Sequence, residues 1–191
     1  IVNNPENPES GSRNVVFGKQ LYIEKSDFLE TPPKKYFRLS PGNEVRLKGA
    51  YIIKAEKVIK NSDGKIIEIV CTYDPNSKSG SGSPESQRKV KGTLHWVSSD
   101  SNLPVEIREY DRLFEHPSPG DFSTDEIEKA INKDSIKIFQ GFGEKQLMHS
   151  SVGDSFQFQR KGYYIKDKDS RGSMHVFNKT VSLRDNWKNR N

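Results

Sequence analysis

A single cysteine, Cys71, stands among 191 residues, so no disulfide can form within the chain. That scarcity fits a reducing, intracellular compartment, and the expected localisation is cytoplasmic. Long apolar runs are missing too. No stretch approaches the roughly 18 consecutive apolar residues of a membrane span, and no apolar signal core follows the start, so no membrane partner is expected. Hydrophobic residues make up 31% of the chain against 30% charged, too few for one thick core. Small barrels, whose wall is one layer thick, need less apolar material per residue. Catalytic chemistry is equally thin. His95, His116, His149 and His175 are scattered, with no i,i+4 pair and no cysteine pair beside them, so no metal site is expected. Cys71 sits mid-strand in IEIVCTY and reads as a packing residue, since a reactive thiol needs a basic, exposed niche. Glycine- and serine-rich matches at 80–82 lack the strand–turn–helix setting that gives such motifs meaning. No phosphate loop or carboxylate pair stands out, so the reading names no catalytic residue and no cofactor.

What is present is aromatic and mildly basic. Ten Phe, seven Tyr and two Trp argue against disorder. The net charge of +5 comes from 31 basic residues opposed by 26 acidic ones, so any polyanion site must be a local patch. After a lead-in with Pro5 and Pro8, strand texture begins near Val15. Leu21 to Ile23 and Tyr36 to Leu39 read as short strands, and Glu44 to Lys48 alternates so that Val45 and Leu47 share one face. Ala50 to Lys60 and Lys65 to Tyr73 flank Asn61-Ser62-Asp63-Gly64, which predicts a long hairpin. The stretch 74–88 has no apolar residue and reads as a flexible surface loop. Lys89 to Ser98, Leu103 to Tyr110, Ser135 to Phe139, Ser155 to Arg160, Tyr163 to Lys166 and Val176 to Leu183 complete the predicted strands. One helix is predicted over Thr124 to Asn132, opened by the capping box that starts at Ser123. The fold class expected is all-β, as barrels or sandwiches.

Basic and amide side chains recur beside aromatics. Lys34, Lys35 and Arg38 flank Tyr36 and Phe37; Arg46 and Lys48 leave one face of their strand; Gln157 and Arg160 follow Phe156 and Phe158. Arg and Gln offer multi-donor edges that can pair with bases, and neighbouring aromatics can stack on splayed ones. Outward polar positions on an ordinary sheet give the same pattern, so spacing leaves both readings open.

Longer motifs carry a resemblance. Lys89-Val90-Lys91-Gly92-Thr93-Leu94-His95-Trp96-Val97-Ser98, followed by Leu103-Pro104-Val105-Glu106-Ile107-Arg108 and Tyr110-Asp111-Arg112-Leu113-Phe114, closely resembles a stretch of the glutaminyl-tRNA synthetase family. So do Gly11-Ser12-Arg13, Glu44-Val45-Arg46-Leu47, Gln140-Gly141-Phe142, Phe156-Gln157-Phe158 with Arg160, Gly162 and Tyr163, and Phe177-Asn178 with Thr180, Val181, Leu183, Arg184 and Asp185. The matches run in order from Gly11 to Trp187.

The resemblance implies the C-terminal anticodon-binding region of that class I family, of glutamyl/glutaminyl type. It implies two antiparallel β-barrels related to a ribosomal-protein barrel, with one or two short helices. Residues 1–33 with 114–191 would form the barrel nearer the catalytic domain, and 34–113 the farther one. It assigns Arg38 to the third anticodon base, Arg46 and Lys48 to the first, and Gln157 and Arg160 to the middle uracil, with Lys35 as a further contact. Phe37 stands where a bacterial relative has lysine, Lys35 where it has glutamine, and Lys48 where it has arginine. Lys89 is placed outside the base-reading set. The implied partners are the anticodon stem-loop of tRNA(Gln) and an upstream catalytic domain of the same chain. Neither class I ATP signature occurs, and the chain begins with Ile, so a fragment inactive by itself is expected, with ATP used by the full-length ligase. Alternatives are the same domain of an archaeal- or eukaryotic-type glutamyl-tRNA synthetase, against which His95-Trp96-Val97 speaks, and a non-catalytic RNA- or ribosome-interacting barrel.

Overall fold

The hairpin that the Asp-Gly signal predicts forms as two nine-residue strands, β3 (Ile52–Lys60) and β4 (Ile66–Asp74), paired antiparallel. In the turn, Asn61 Oδ1 accepts from the Asp63 and Lys65 amides at 3.1 and 2.9 Å, and Gly64 takes φ 76°, where a side chain would be strained. Register shifts at Ala55/Lys57 and at Ile59/Lys60 add the twist that bends the pair over its core.

A computed structural model describes residues 1–183. Arg184, Asp185 and Trp187, part of the resemblance, lie outside the described residues. By internal contacts the chain forms two compact units, Ile1–Ser101 and Asn102–Asn191. Grouped this way, residues 1–33 lie with 34–101, and 102–113 lie with the C-terminal stretch.

In the first unit, β2 (Glu44–Leu47) joins the hairpin and β5 (Thr93–Leu94) to give the order β4-β3-β2-β5. One residue after β5, β6 (Trp96–Ser98) pairs instead with β1 (Leu21–Ile23). The chain thus passes from one sheet to another within 93–98, as strands do at the corner of a barrel. Alternation in β2 works as expected: Val45 and Leu47 are buried beside Leu39, Ala55, Leu94 and Trp96. Fully burying such a side chain stabilises by about 1.5–3 kcal/mol. The Trp96 indole N–H reaches the Lys48 carbonyl at 3.0 Å, so this large ring is buried without stranding its donor.

The second unit is built on β7 (Asn102–Tyr110), β8 (Ile136–Glu144), β9 (Ser155–Phe158), β10 (Gly162–Lys166) and β11 (His175–Val181), in the order β8-β7-β11-β10-β9. Leu103, Val105, Tyr164 and Phe177 form its core, with Phe156 and Phe158 against them. Helix α2 (Thr124–Ala130) starts at the predicted capping box: Ser123 and Glu126 exchange bonds, and these hold the Glu126 carboxylate below its usual range.

Three expectations need correction. The sheets are mixed rather than purely antiparallel, because β2 pairs parallel with β5 and β7 with β11. Each of those partners returns after a long intervening stretch, as parallel neighbours require. Tyr36 to Leu39 is no strand: Lys35 sits in a turn at φ 66°, and only Leu39 makes an isolated bridge, to Phe28. The 74–88 stretch is not a featureless loop. It contains a turn of 3-10 helix (Pro75–Ser77) and the short helix α1 (Pro84–Gln87), and Ser77 within it is fully buried.

Candidate nucleic-acid interface

In the first unit the site begins with a buried acid. Leu39 donates its amide to the Asp27 carbonyl at 3.0 Å, and its own carbonyl accepts from Leu29 at 3.2 Å. This clamp sets Arg38 beside the Asp27 side chain, where Arg38 Nε lies 3.1 Å from Asp27 Oδ1. Tyr36 reaches the Ser26 carbonyl through its hydroxyl at 3.1 Å; burial, then the Asp27 charge, raise its pKa. Between these side chains and the 89–92 strand approach lies a concavity of about 260 Å³. Arg38, Phe37, Asn43, Glu44, Lys89 and Lys91 are among its lining residues. It is smaller than the roughly 300–1,000 Å³ typical of small-molecule pockets and suits a single flat ring. Lys91 Nζ stands 5.5 Å from the centre of the Phe37 ring, a cation–π distance, and that ring is 47% exposed. Gly92 is required here, since a Cβ would lie 2.6 Å from the Phe37 carbonyl oxygen.

Arg46 and Lys48 do not line this concavity. The two terminal nitrogens of Arg46 donate to Ser77 O at 2.8 Å, Ser79 Oγ at 3.3 Å, Ser86 O at 2.9 Å and Arg88 O at 3.1 Å. Lys48 extends β2 through its amide, bonded to Leu94 O at 2.9 Å, and its side chain is half-buried. Lys35 is exposed in its turn. Arg88 pairs with Glu44 through both terminal nitrogens, which raises its own pKa.

In the second unit, alternation along β9 half-buries Phe156 and Phe158 against the core and leaves Gln157 exposed. Phe158 stacks on Tyr164 at 4.5 Å. Gln157 lies opposite Tyr163 across the β9–β10 pair, and Tyr163 is 45% exposed, so an amide edge and an aromatic face share one side of the sheet. Arg160 occupies the β9–β10 turn at φ 63°, uncommon for a residue with a side chain. Gly162 closes that turn at φ 147°, and a Cβ there would lie 2.5 Å from the Val181 carbonyl oxygen. The Phe-Gln-Phe-x-Arg-x-Gly spacing therefore encodes one tightly held turn.

Sequence reasoning did not single out Asn43 or Lys91 and set Lys89 apart from the base-reading positions, yet all three line the concavity. Among the described residues, no group of three or more His, Cys, Asp or Glu could hold a metal ion, and no helix is long and apolar enough to cross a membrane. Burial pushes the Cys71 thiol up to about 11, away from reactivity.

A polar concavity with an arginine fork, lysines and an exposed ring suits an unstacked nucleobase. Two family models, both described as tRNA synthetases class I (E and Q), anti-codon binding domain, match residues 1–74 and 93–167. The chain belongs to this family of anticodon-binding domains. The anticodon-binding domain is similar over nearly its whole length to proteins named glutamine--tRNA ligase. It is 45% identical to that of Bradyrhizobium diazoefficiens over 189 residues, covering 97% of this chain and 33% of the relative. It is 47% identical to that of Clostridium kluyveri, with 98% and 34% covered, and 49% identical to that of Escherichia coli O157:H7, with 98% and 33% covered. The domain thus spans about a third of the length of the curated relatives it matches.

Proposed function

We propose that this domain reads the anticodon loop of tRNA(Gln) as part of a cytoplasmic glutaminyl-tRNA synthetase. The observation that carries the reading is the Arg38 concavity, which gathers a planar donor fork, an exposed ring and two lysines in an anticodon-binding domain. Bases of the loop unstack; one enters beside Phe37, where Arg38 offers bidentate donors, while Lys89 and Lys91 hold phosphates. Lys35 and Lys48 add backbone contacts, Lys48 beside the first base. Gln157 and Arg160, with Tyr163 as a stacking face, take the middle uracil. Arg46, which the family resemblance assigns to the first base, has its terminal donors on Ser77, Ser79, Ser86 and Arg88 in the absence of RNA. Joining glutamine to tRNA with ATP belongs to a catalytic domain of the full-length protein, which the matched relatives' greater length accommodates.

The names of the relatives favour the glutaminyl over the glutamyl type. Equilibrium binding of the chain to the tRNA(Gln) anticodon stem-loop, with a tRNA(Glu) stem-loop as competitor, tests the reading. Preference for the glutamine loop is expected. Preference for the glutamate loop would move the domain to the sister enzyme, and no binding to either would favour a barrel without anticodon reading.

A further inference from the structure

The uncommitted side-chain groups of the Arg38 concavity are mostly donors. Arg38 commits Nε to Asp27 and Nη1 to Phe37 O, which leaves Nη2 open. Lys89 and Lys91, which wall the concavity, carry donors only. The Tyr36 hydroxyl donates to Ser26 O, and both Glu44 carboxylate oxygens meet Arg88. Asn43 Oδ1, by contrast, is a lining side-chain acceptor that no group among the described residues engages.

That oxygen is held from behind. Ser40-Pro41-Gly42-Asn43 is a four-residue turn, closed by the Asn43 amide on Ser40 O at 3.0 Å. Pro41 suits the second place of a type II turn, and Gly42 takes φ 76° in the third, where a side chain would be strained. The Gly42 amide donates to Ala55 O at 2.8 Å and Pro41 bridges Ala55, so β3 carries the turn. Asn43 Nδ2 donates to Ser40 Oγ at 2.6 Å, and Ser40 is buried. With its nitrogen end tied to a buried hydroxyl, the Asn43 amide keeps its oxygen end for a ligand. Ser40 follows Leu39, whose amide is clamped on Asp27 O, so this turn and Arg38 hang from one frame.

Guanine answers such a pair of groups. Glutamine codons begin with cytosine, so the third anticodon base of tRNA(Gln) is guanine. Its O6 and N7 accept, and they suit an arginine. Its N2 amine donates and needs an acceptor, which Lys89 and Lys91 cannot supply. Adenine has a bare C2–H at that place, and cytosine and uracil have an acceptor oxygen.

We infer that Asn43 is a specificity-determining residue: its Oδ1 accepts a hydrogen bond from the N2 amine of the guanine whose other edge faces Arg38. The inference rests on the proposed anticodon reading. A pyrimidine would set its C2 oxygen against Oδ1, so Asn43 turns the concavity against cytosine, the third anticodon base of tRNA(Glu).

Inosine isolates the contact, because it keeps O6 and N7 and lacks the N2 amine. The 191-residue chain is titrated with tRNA(Gln) stem-loops carrying guanine, inosine or cytosine at the third anticodon position. Wild type should bind the guanine loop roughly three- to tenfold more tightly than the inosine loop, the scale of one hydrogen bond. Asn43→Ala should bind those two loops equally. Asn43→Asp keeps an acceptor and should retain the guanine preference, with both loops weakened by its charge. Arg38→Ala acts on the other edge and should weaken the guanine and inosine loops by the same factor; a larger loss for guanine would put the N2 amine on Arg38 and overturn the inference. So would a guanine preference that survives in Asn43→Ala, or one that Asn43→Asp loses as well. The wild-type comparison needs no variant: guanine and inosine bound alike, with cytosine rejected, also refutes the contact. All three loops bound alike sinks the anticodon reading itself.

Discussion

Arg38 Nε stands 3.1 Å from a carboxylate oxygen of Asp27, whose side chain is only 2% exposed. The pair does two things at once. It satisfies a charge that would be costly to bury alone, and it fixes the direction in which the arginine fork faces the concavity. Arg38 also donates to its neighbour's carbonyl, Phe37 O, at 3.2 Å, so the exposed ring and the fork are set together.

Removing Arg38 should therefore cost stability as well as binding. Arg38→Ala strips a partner from the buried Asp27 carboxylate, and a loss of roughly 1–3 kcal/mol in urea unfolding is expected. Asp27→Asn should leave Arg38 present yet poorly aimed, weakening the cognate loop more than a loop altered at the third base. An Arg38→Ala protein as stable as wild type would show that the pair contributes nothing to the fold.

Salt dependence checks the lysine wall. Each phosphate held by Lys89 or Lys91 should contribute about 0.7 to the slope of log K against log salt for single-stranded RNA. Lys91→Ala should lower the slope by about that amount, read from titrations of labelled stem-loop across salt concentrations. An unaltered slope would leave Lys91 as a partner of the Phe37 ring and nothing more.

The second unit carries a pH dependence of its own. Burial first, then the positive charge of Lys166, hold the His175 imidazole below its ordinary value. A group with a lowered folded-state pKa binds fewer protons folded than unfolded, so stability is lost as pH falls from about 6.5 towards the folded value. Urea midpoints should drop across that window in wild type and drop less in His175→Gln. Equal slopes in both proteins would place the acid sensitivity elsewhere.

Much of this fold was legible where side chains obey a period or a turn chemistry. Val45 and Leu47, the Asn61–Gly64 turn and the Ser123–Glu126 capping box each follow from local rules, and each formed. What failed depended on long-range polar pairing. The 74–88 stretch looked flexible because it has no apolar residue, yet its serines bond back to Ile52, Ala50 and Asp74, and a distant arginine holds it. Composition cannot reveal that partner, 40 residues away. Tyr36 to Leu39 had strand texture, but the Asp27–Arg38 pair and the Lys35 turn fold it as an irregular segment. At the site, family resemblance named Arg38, whereas the neighbouring lysines emerged only when β5 came to lie beside β2.

The central claim is that Arg38 reads a base rather than merely attracting RNA. The direct test is four binding curves at one fixed salt: wild type and Arg38→Ala, each against the cognate stem-loop and a loop altered at the third anticodon base. A fork paired with a base edge predicts a loss of roughly 1–3 kcal/mol for the cognate loop and much less for the altered one. Equal weakening of both loops would make Arg38 a phosphate or structural contact and would contradict the account.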